Sequence, residues 1–133
     1  MINEITFRGK NIETGDWEIG ALVAIDFKPA LVIGSFESIN DCTFHLDAIR
    51  YNFVDKDTVC VCTGRVDKNG LDIYEADIIK TIFGHMIVEY ENGSFYANGM
   101  SCRYRLDEFY PFEPLIVGNK FDNDDLYKEI KHL

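Results

Sequence analysis

The chain has few basic residues and lacks the apolar segments that direct proteins into or across membranes. It carries 13 Lys and Arg against 23 Asp and Glu, a formal net charge of −10. Nucleic acids and anionic membranes both attract cations, so this charge argues against either as a partner. Residues 1–8 lack the apolar core of a signal peptide, and no apolar run approaches the roughly 18 residues of a membrane span. We therefore expect a cytoplasmic protein.

The four cysteines include no Cys-x-x-Cys pair, the usual knuckle of a tetrahedral zinc site. In a cytoplasmic chain we expect them to be reduced, and most often such cysteines are small buried core residues. The sequence contains only a Cys-x-Cys pair, which a strand would place on one side. A zinc site stays open as an alternative, with ligands drawn from Cys60, Cys62, Cys102, His45 and His85.

Signs of other catalytic chemistry are also scarce. The chain has no Gly-x-Ser-x-Gly nucleophile elbow. A thiol enzyme that uses Cys42 or Cys60 with His45 or His85 stays open, because such pairs meet only in three dimensions. Residues 67–70 and 122–125 fail as calcium loops, since a leucine stands at the third ligand position of each. The sequence therefore predicts no catalytic, cofactor-binding or metal-ligating residue.

Aromatic residues are plentiful, with ten Phe, seven Tyr and one Trp in 133 residues. This composition, punctuated by glycine, is typical of β structure. The length fits a single domain, whose two intimately packed β lobes would cover about 1–60 and 61–133. Apolar runs and alternation predict strands at residues 17–25, 30–33, 44–51, 59–62, 77–83, 86–90 and 115–117. We expect Pro29 to interrupt the strand pattern between the first two of these strands. We expect Gly84-His85 to form the turn before the strand at 86–90.

Two Asn-Gly pairs, at residues 69–70 and 92–93, predict hairpin turns because both residue types adopt positive φ at low cost. A two-residue turn at the second pair would place Tyr90 opposite Phe95. Near the C-terminus, Asn123 has the character of an N-cap and Leu126 and Ile130 share one helical face, which predicts a short helix.

The chain resembles the YopX-like family of phage and prophage proteins. The resemblance rests on a long signature that stands here as Thr63-Gly64-Arg65-Val66-Asp67-Lys68-Asn69-Gly70-Leu71-Asp72-Ile73-Tyr74-Glu75-Ala76-Asp77-Ile78. The segments at 7–20 and 114–126 are similar to the two ends of the family. Ala76 stands where the family usually has Gly, so we expect that this turn does not use Gly-only backbone angles. Asp124 replaces a usual Pro at the start of the helix.

The resemblance implies a mostly β protein of phage or prophage origin, without an established biochemical activity. The pattern at residues 77–95 also resembles strands of an SH3-like barrel, which we expect in the C-terminal half. The predicted function is a non-enzymatic accessory protein that works through protein–protein contacts. We also expect a homo-oligomer, since few strands show the Lys or Pro that protect a sheet edge.

A second possibility is an SH3-like module that binds nucleic acid through Arg103, Tyr104 and Arg105. Against it stand the net charge and the expectation that the two arginines pair with Asp107 and Glu108. A metal or thiol enzyme is the third possibility.

Overall fold

Residues 5–33, 50–109 and 113–132 are described by the computed structural model. The chain divides into two compact units, Met1–Val61 and Cys62–Leu133. The described residues form antiparallel strands and one short C-terminal helix, so the predicted mainly β class is confirmed. The single domain of two packed lobes stays a prediction.

The first unit is a meander of antiparallel strands. Its strands are β1 (Phe7–Lys10), β2 (Trp17–Ile25), β3 (Lys28–Ile33), β4 (Arg50–Phe53) and the start of β5 (Cys60–Val66), with a 3₁₀ turn at Lys56–Thr58. They pair in the order β4-β3-β2-β1-β5. Three successive residues of β3, Ala30, Leu31 and Val32, are buried, and the core of this unit also holds Val54 and Cys60. The predicted strand at residues 44–51 lies largely outside the described residues.

Pro29 does not interrupt a strand, contrary to the sequence-based expectation. It lies inside β3, opposite Ala24 of β2. Its carbonyl oxygen accepts a hydrogen bond from the Val54 N–H at 3.2 Å, on the side away from β2. Because the N and O of one strand residue face the same side, the missing N–H removes no bond between β2 and β3.

The second unit contains a five-stranded antiparallel sheet. After β5 come β6 (Asp72–Tyr74), β7 (Asp77–Thr81), β8 (Gly84–Glu91), β9 (Ser94–Asn98), β10 (Arg103–Arg105), a 3₁₀ turn at Leu106–Phe109, β11 (Leu115–Asn119) and the helix α1 (Asp124–Lys131). The sheet has the order β10-β9-β8-β7-β11, and β5 pairs with β6. Within the described residues β10 and β11 end the sheet, so the SH3-like barrel is not confirmed.

An apolar cluster lies on each face of this sheet, because successive residues of β7 and β8 point to opposite sides. Ile78 and Ile87 pack against Ile130 of α1. Burying one such side chain stabilises the fold by about 1.5–3 kcal/mol. The opposite cluster consists of Ile73, Ile79, Met86, Val88, Ala97 and Leu106. Helix α1 begins after Asn123 as predicted.

The residues of the turns determine where the hairpins of the second unit form. The turn at residues 92–93 joins β8 to β9 and places Tyr90 opposite Phe95, as predicted, with ring centroids 5.1 Å apart. Residues 69–70 lie in the loop between β5 and β6, also as predicted. The third turn differs from the prediction: it consists of Ile82 and Phe83, and Gly84 already pairs with Thr81 at the start of β8.

Candidate functional site

In the signature motif at residues 63–78, polar side chains form hydrogen bonds that hold the backbone in place. Asp67 is 2% exposed, and its Oδ1 accepts hydrogen bonds from the N–H groups of Asn69 and Leu71, each at 2.9 Å. Its Oδ2 accepts from the Ile116 N–H of β11 at 3.2 Å. Burial would raise the pKa of Asp67, but the three backbone donors outweigh burial and the pKa is lowered.

Polar residues on either side of Asp67 in the signature also form hydrogen bonds with the backbone. The Thr63 hydroxyl donates to the carbonyl oxygen of Ile73 at 2.7 Å, which ties β5 to β6. The Tyr74 N–H donates to the Asp77 carboxylate at 2.8 Å, and Asp77 is 1% exposed. Asp67 and Asp77 are thus both committed to backbone N–H groups, which is a structural role.

Ala76 adopts φ +73°, so the expectation that this turn avoids Gly-only backbone angles is wrong. The conformation is held from both sides. The Ala76 N–H donates to the Val88 carbonyl at 2.7 Å, and its carbonyl accepts from the Lys120 N–H at 2.9 Å. A left-handed conformation costs an L-residue about 1–2 kcal/mol, so the packed surroundings impose it.

The cysteine sites that the sequence left open gain no support. Cys60 is buried and its Sγ donates to the Thr58 carbonyl at 3.2 Å, as a core cysteine does. Cys42 and His45 lie outside the described residues. Among the residues that are described, no three His, Cys, Asp or Glu side chains approach closely enough to hold a metal ion. Cys102 and His85 line one groove, yet no hydrogen bond joins these two described side chains.

The arginines of the nucleic-acid alternative lie beside counter-charges. The guanidinium of Arg103 lies 3.8 Å from the centre of the Tyr96 ring and 2.6 Å from a carboxylate oxygen of Glu91. Arg105 approaches Asp107 at 3.4 Å, as expected from the sequence, whereas Arg103 pairs with Glu91 rather than Glu108. Exposed pairs of this kind add little stability, but they reduce the positive potential available to phosphates.

A groove of about 410 Å³ opens in the second unit between α1, the turn after β7 and the turn after β9. We call it the α1 groove. Its walls include Phe83, His85, Met100, Cys102, Leu126 and Ile130. A concave, mostly apolar site with a few polar groups is the usual form of a binding site.

Two contacts hold the walls of the α1 groove in place. Phe83 stacks on Tyr104 with ring centroids 4.4 Å apart, and the His132 Nε2 lies 3.3 Å from the Met100 carbonyl oxygen. Met100 remains 58% exposed. Methionine side chains adapt to irregular partners, so this wall can adjust to what it contacts.

Sequence reasoning did not find the α1 groove. It assigned Phe83 to a strand and gave Met100 no role. One local signal was present: Thr81 has a hydroxyl that accepts from the Phe83 N–H at 3.0 Å, a turn that Ser and Thr commonly form. That signal places Phe83 in a turn, but the approach of Leu126 depends on contacts far apart in sequence.

The turn between β2 and β3 in the first unit presents an apolar side chain fully to solvent. The turn between β2 and β3 consists of Asp26 at φ +51° and Phe27 at φ +64°, and Phe27 is 103% exposed. Two-residue turns of this kind need positive φ at both positions and favour Asn, Asp and Gly. Phenylalanine gains no burial there and carries the strain of a left-handed backbone.

Comparison with known proteins shows the fold and the family. No match was found among curated proteins. The crystal structure of protein EF1440 from Enterococcus faecalis is similar, with a TM-score of 0.54 and 19% sequence identity over 92% of this chain and 97% of the other. At that identity the likeness concerns the fold alone. No helix in the described part of the chain is long and apolar enough to cross a membrane. The family described as YopX protein matches residues 6–128, nearly the whole chain, and the chain belongs to the YopX family.

Proposed function

We propose that this chain is a non-enzymatic phage or prophage accessory protein that acts through protein–protein contacts. Family membership supports the phage setting and brings no enzymatic assignment. The cytoplasmic location expected from the sequence is part of the proposal, as is the SH3-like barrel of the C-terminal half, which five antiparallel strands support.

The observation that carries the proposal is the α1 groove, whose lining includes the apolar side chains of Phe83 and Leu126 and the exposed Met100. Such a surface suits an apolar side chain of a protein. A catalytic centre that works by a nucleophile would instead need that nucleophile and a base in contact. The acids of the signature, Asp67 and Asp77, are buried and bonded to backbone.

The charge of the chain makes the nucleic-acid module the weaker alternative. A net charge of −10 repels phosphates, and both Arg103 and Arg105 lie beside carboxylates.

The experiment is affinity capture from a host-cell lysate with three baits: the wild type, Met100→Glu and Ile12→Ser. Met100→Glu places a charge in the α1 groove, while Ile12 is 66% exposed in the first unit and serves as the matched control. We expect mass spectrometry to find proteins that the wild type and Ile12→Ser retain and that Met100→Glu loses. Identical sets of captured proteins for all three baits would overturn the groove as the contact site.

A further inference from the structure

Two adjoining clefts open in the second unit, and their lining residues differ from those of the α1 groove. The first cleft has a volume of about 200 Å³ and lies between β5, the turn after β8 and the end of β10. We call it the arginine cleft, and its lining includes Arg65, Ser94, Arg105 and Asp107. The second cleft, of about 260 Å³, shares Arg65 and Leu106 with the first. We call it the Val66 cleft, and its lining also includes Val66, Glu113 and Pro114.

An irregularity in β5 brings Arg65 to the arginine cleft. β5 and β6 pair on both sides of it, but between these pairs residues 63–65 of β5 lie opposite the single residue Ile73. Gly64 adopts φ +79°, and the Arg65 N–H donates to the Thr63 hydroxyl at 3.1 Å. Bulges of this kind are frequent next to active sites, where they redirect a side chain.

The arginine cleft holds hydrogen-bond donors that the chain itself does not use. Within the described residues, neither the guanidinium of Arg65 nor the hydroxyl of Ser94 has an ion-pair or hydrogen-bond partner. Arg105 lies 3.4 Å from Asp107, and its side chain remains 56% exposed. Two arginines and one aspartate give this cleft a net charge of +1, whereas the whole chain carries −10.

We propose that the arginine cleft binds a carboxylate of a partner protein, and that the Val66 cleft receives an apolar side chain next to that carboxylate. That the partner is a protein rests on the proposed function, and the inference adds a second contact surface to it. The planar fork of a guanidinium matches a carboxylate with two parallel hydrogen bonds, and the Ser94 hydroxyl can donate a further one.

The charges of the two clefts orient such a segment. A net charge of +1 matches a single carboxylate, whereas the second negative charge of a phosphate would lie beside Asp107 without compensation. Glu113 is exposed in the lining of the Val66 cleft and repels a carboxylate from that end. Val66 is 48% exposed there and offers apolar surface instead. Acidic residues elsewhere on the chain oppose binding only weakly, because salt screens exposed charges beyond about 8 Å at about 0.15 M.

The test is a titration of the full ¹⁵N-labelled chain, followed by NMR of the backbone amides and the arginine Nε–H groups. N-acetylleucine carries a terminal carboxylate beside an apolar side chain, as a protein C-terminus does. Acetyl-glutamyl-leucinamide carries its carboxylate on a side chain, and N-acetylleucinamide carries none. At least one carboxylate probe should shift the signals of Arg65, Ser94 and Val66 in a saturable way, with a Kd on the order of 1 mM. The probe that binds more tightly identifies the source of the carboxylate.

Substitutions of single arginines locate the binding. Arg65→Ala should weaken binding of the better probe at least about 10-fold, and Arg65→Lys should lie in between because an ammonium cannot form the two parallel bonds. Arg50→Ala is the matched control, since it removes the same charge from an exposed position in β4, and it should leave the Kd unchanged. The amide spectrum of each variant verifies its fold, and Arg105→Ala replaces Arg65→Ala if that variant does not fold.

Three outcomes would overturn the inference. One is that neither carboxylate probe binds, and another is that N-acetylleucinamide binds as tightly as they do. The third is that the Arg65→Ala and Arg50→Ala variants bind alike. Inorganic phosphate should bind more weakly than the better carboxylate probe, and tighter binding of phosphate would also refute the assignment to a carboxylate.

The outcome is separable from that of the proposed function. The lysate experiment depends on Met100 in the α1 groove, whereas the titration uses purified chain and depends on Arg65. Captured proteins that need Met100, together with no probe binding, would leave the α1 groove as a contact site and refute the carboxylate site. Probe binding that needs Arg65 supports the carboxylate site whatever the lysate yields.

Discussion

Replacement of Asp67 by Asn tests the assignment of the signature to structure. The change keeps the shape of the side chain and removes its charge. Asn can still accept from Asn69 and Leu71 through its amide oxygen, but its NH₂ group then faces the N–H of Ile116. The variant therefore leaves a buried donor at β11 without an acceptor.

The magnitude follows from the three bonds. Bonds to a charged group contribute about 1.5–3 kcal/mol each and neutral bonds about 0.5–1.5 kcal/mol, so the two retained bonds weaken by about 1 kcal/mol each. The unsatisfied Ile116 N–H adds about 1–3 kcal/mol. Relief from burying a charge offsets part of this, and we expect Asp67→Asn to lower the free energy of unfolding by about 2–4 kcal/mol.

The assay is urea unfolding followed by far-UV circular dichroism. With an m-value of about 2 kcal/mol per M, the midpoint should fall by about 1–2 M. Asp72→Asn, an exposed carboxylate in β6, is the matched control and should change stability by less than about 0.5 kcal/mol. Equal effects of the two substitutions would refute the role assigned to the Asp67 hydrogen bonds.

Three further predictions follow from particular residues. The folded pKa of Asp67 lies below its unfolded value near 3.8, so its carboxylate stabilises the fold above that pH and loses the effect as the pH falls through the folded pKa. The stability gap between wild type and Asp67→Asn should thus narrow below about pH 4, and an unchanged gap in acid unfolding curves would contradict this. The free energy of unfolding of Ala76→Gly should stay within about 1 kcal/mol of the wild-type value, because relief of backbone strain offsets the lost methyl group. Ala97→Gly should lower it by about 1–2 kcal/mol. Denaturation curves in which Ala76→Gly is the less stable of the two variants would contradict the strain at Ala76. Duplex DNA should not bind at about 0.15 M salt, and saturable anisotropy that Arg103→Ala with Arg105→Ala abolishes would favour the nucleic-acid module.

Local chemistry predicted part of the fold accurately. The strand at Trp17–Ile25 has the bounds that its apolar pattern indicated. The turn at residues 92–93 also set the register of β8 and β9, because a two-residue turn leaves only one pairing. Asn123 marked the start of α1, although its side chain accepts from the Asn119 N–H instead of capping the helix.

The other features depend on contacts that no short window of sequence contains. Pro29 lies inside a strand because its nitrogen faces away from β2, and that direction is set by pairing. Ala76 and Phe27 have left-handed backbones that neither residue type favours, so surrounding bonds and register impose them. The α1 groove needs Phe83 and Leu126 to meet across more than forty residues of chain.

The bond between Asp67 and β11 also has a consequence for aggregation. β11 pairs only with β7 among the described strands, so the outward N–H of Ile116 is a site where a foreign strand could add. The carboxylate of Asp67 occupies that donor, and the N–H of Lys68 occupies the carbonyl of Pro114 at 2.9 Å. A loop that opened even locally would expose both groups and leave an apolar strand, Leu115–Asn119, available for cross-β pairing. The loop of the signature therefore blocks strand addition at the β11 edge. This protection is separate from the loop's contribution to the free energy of unfolding.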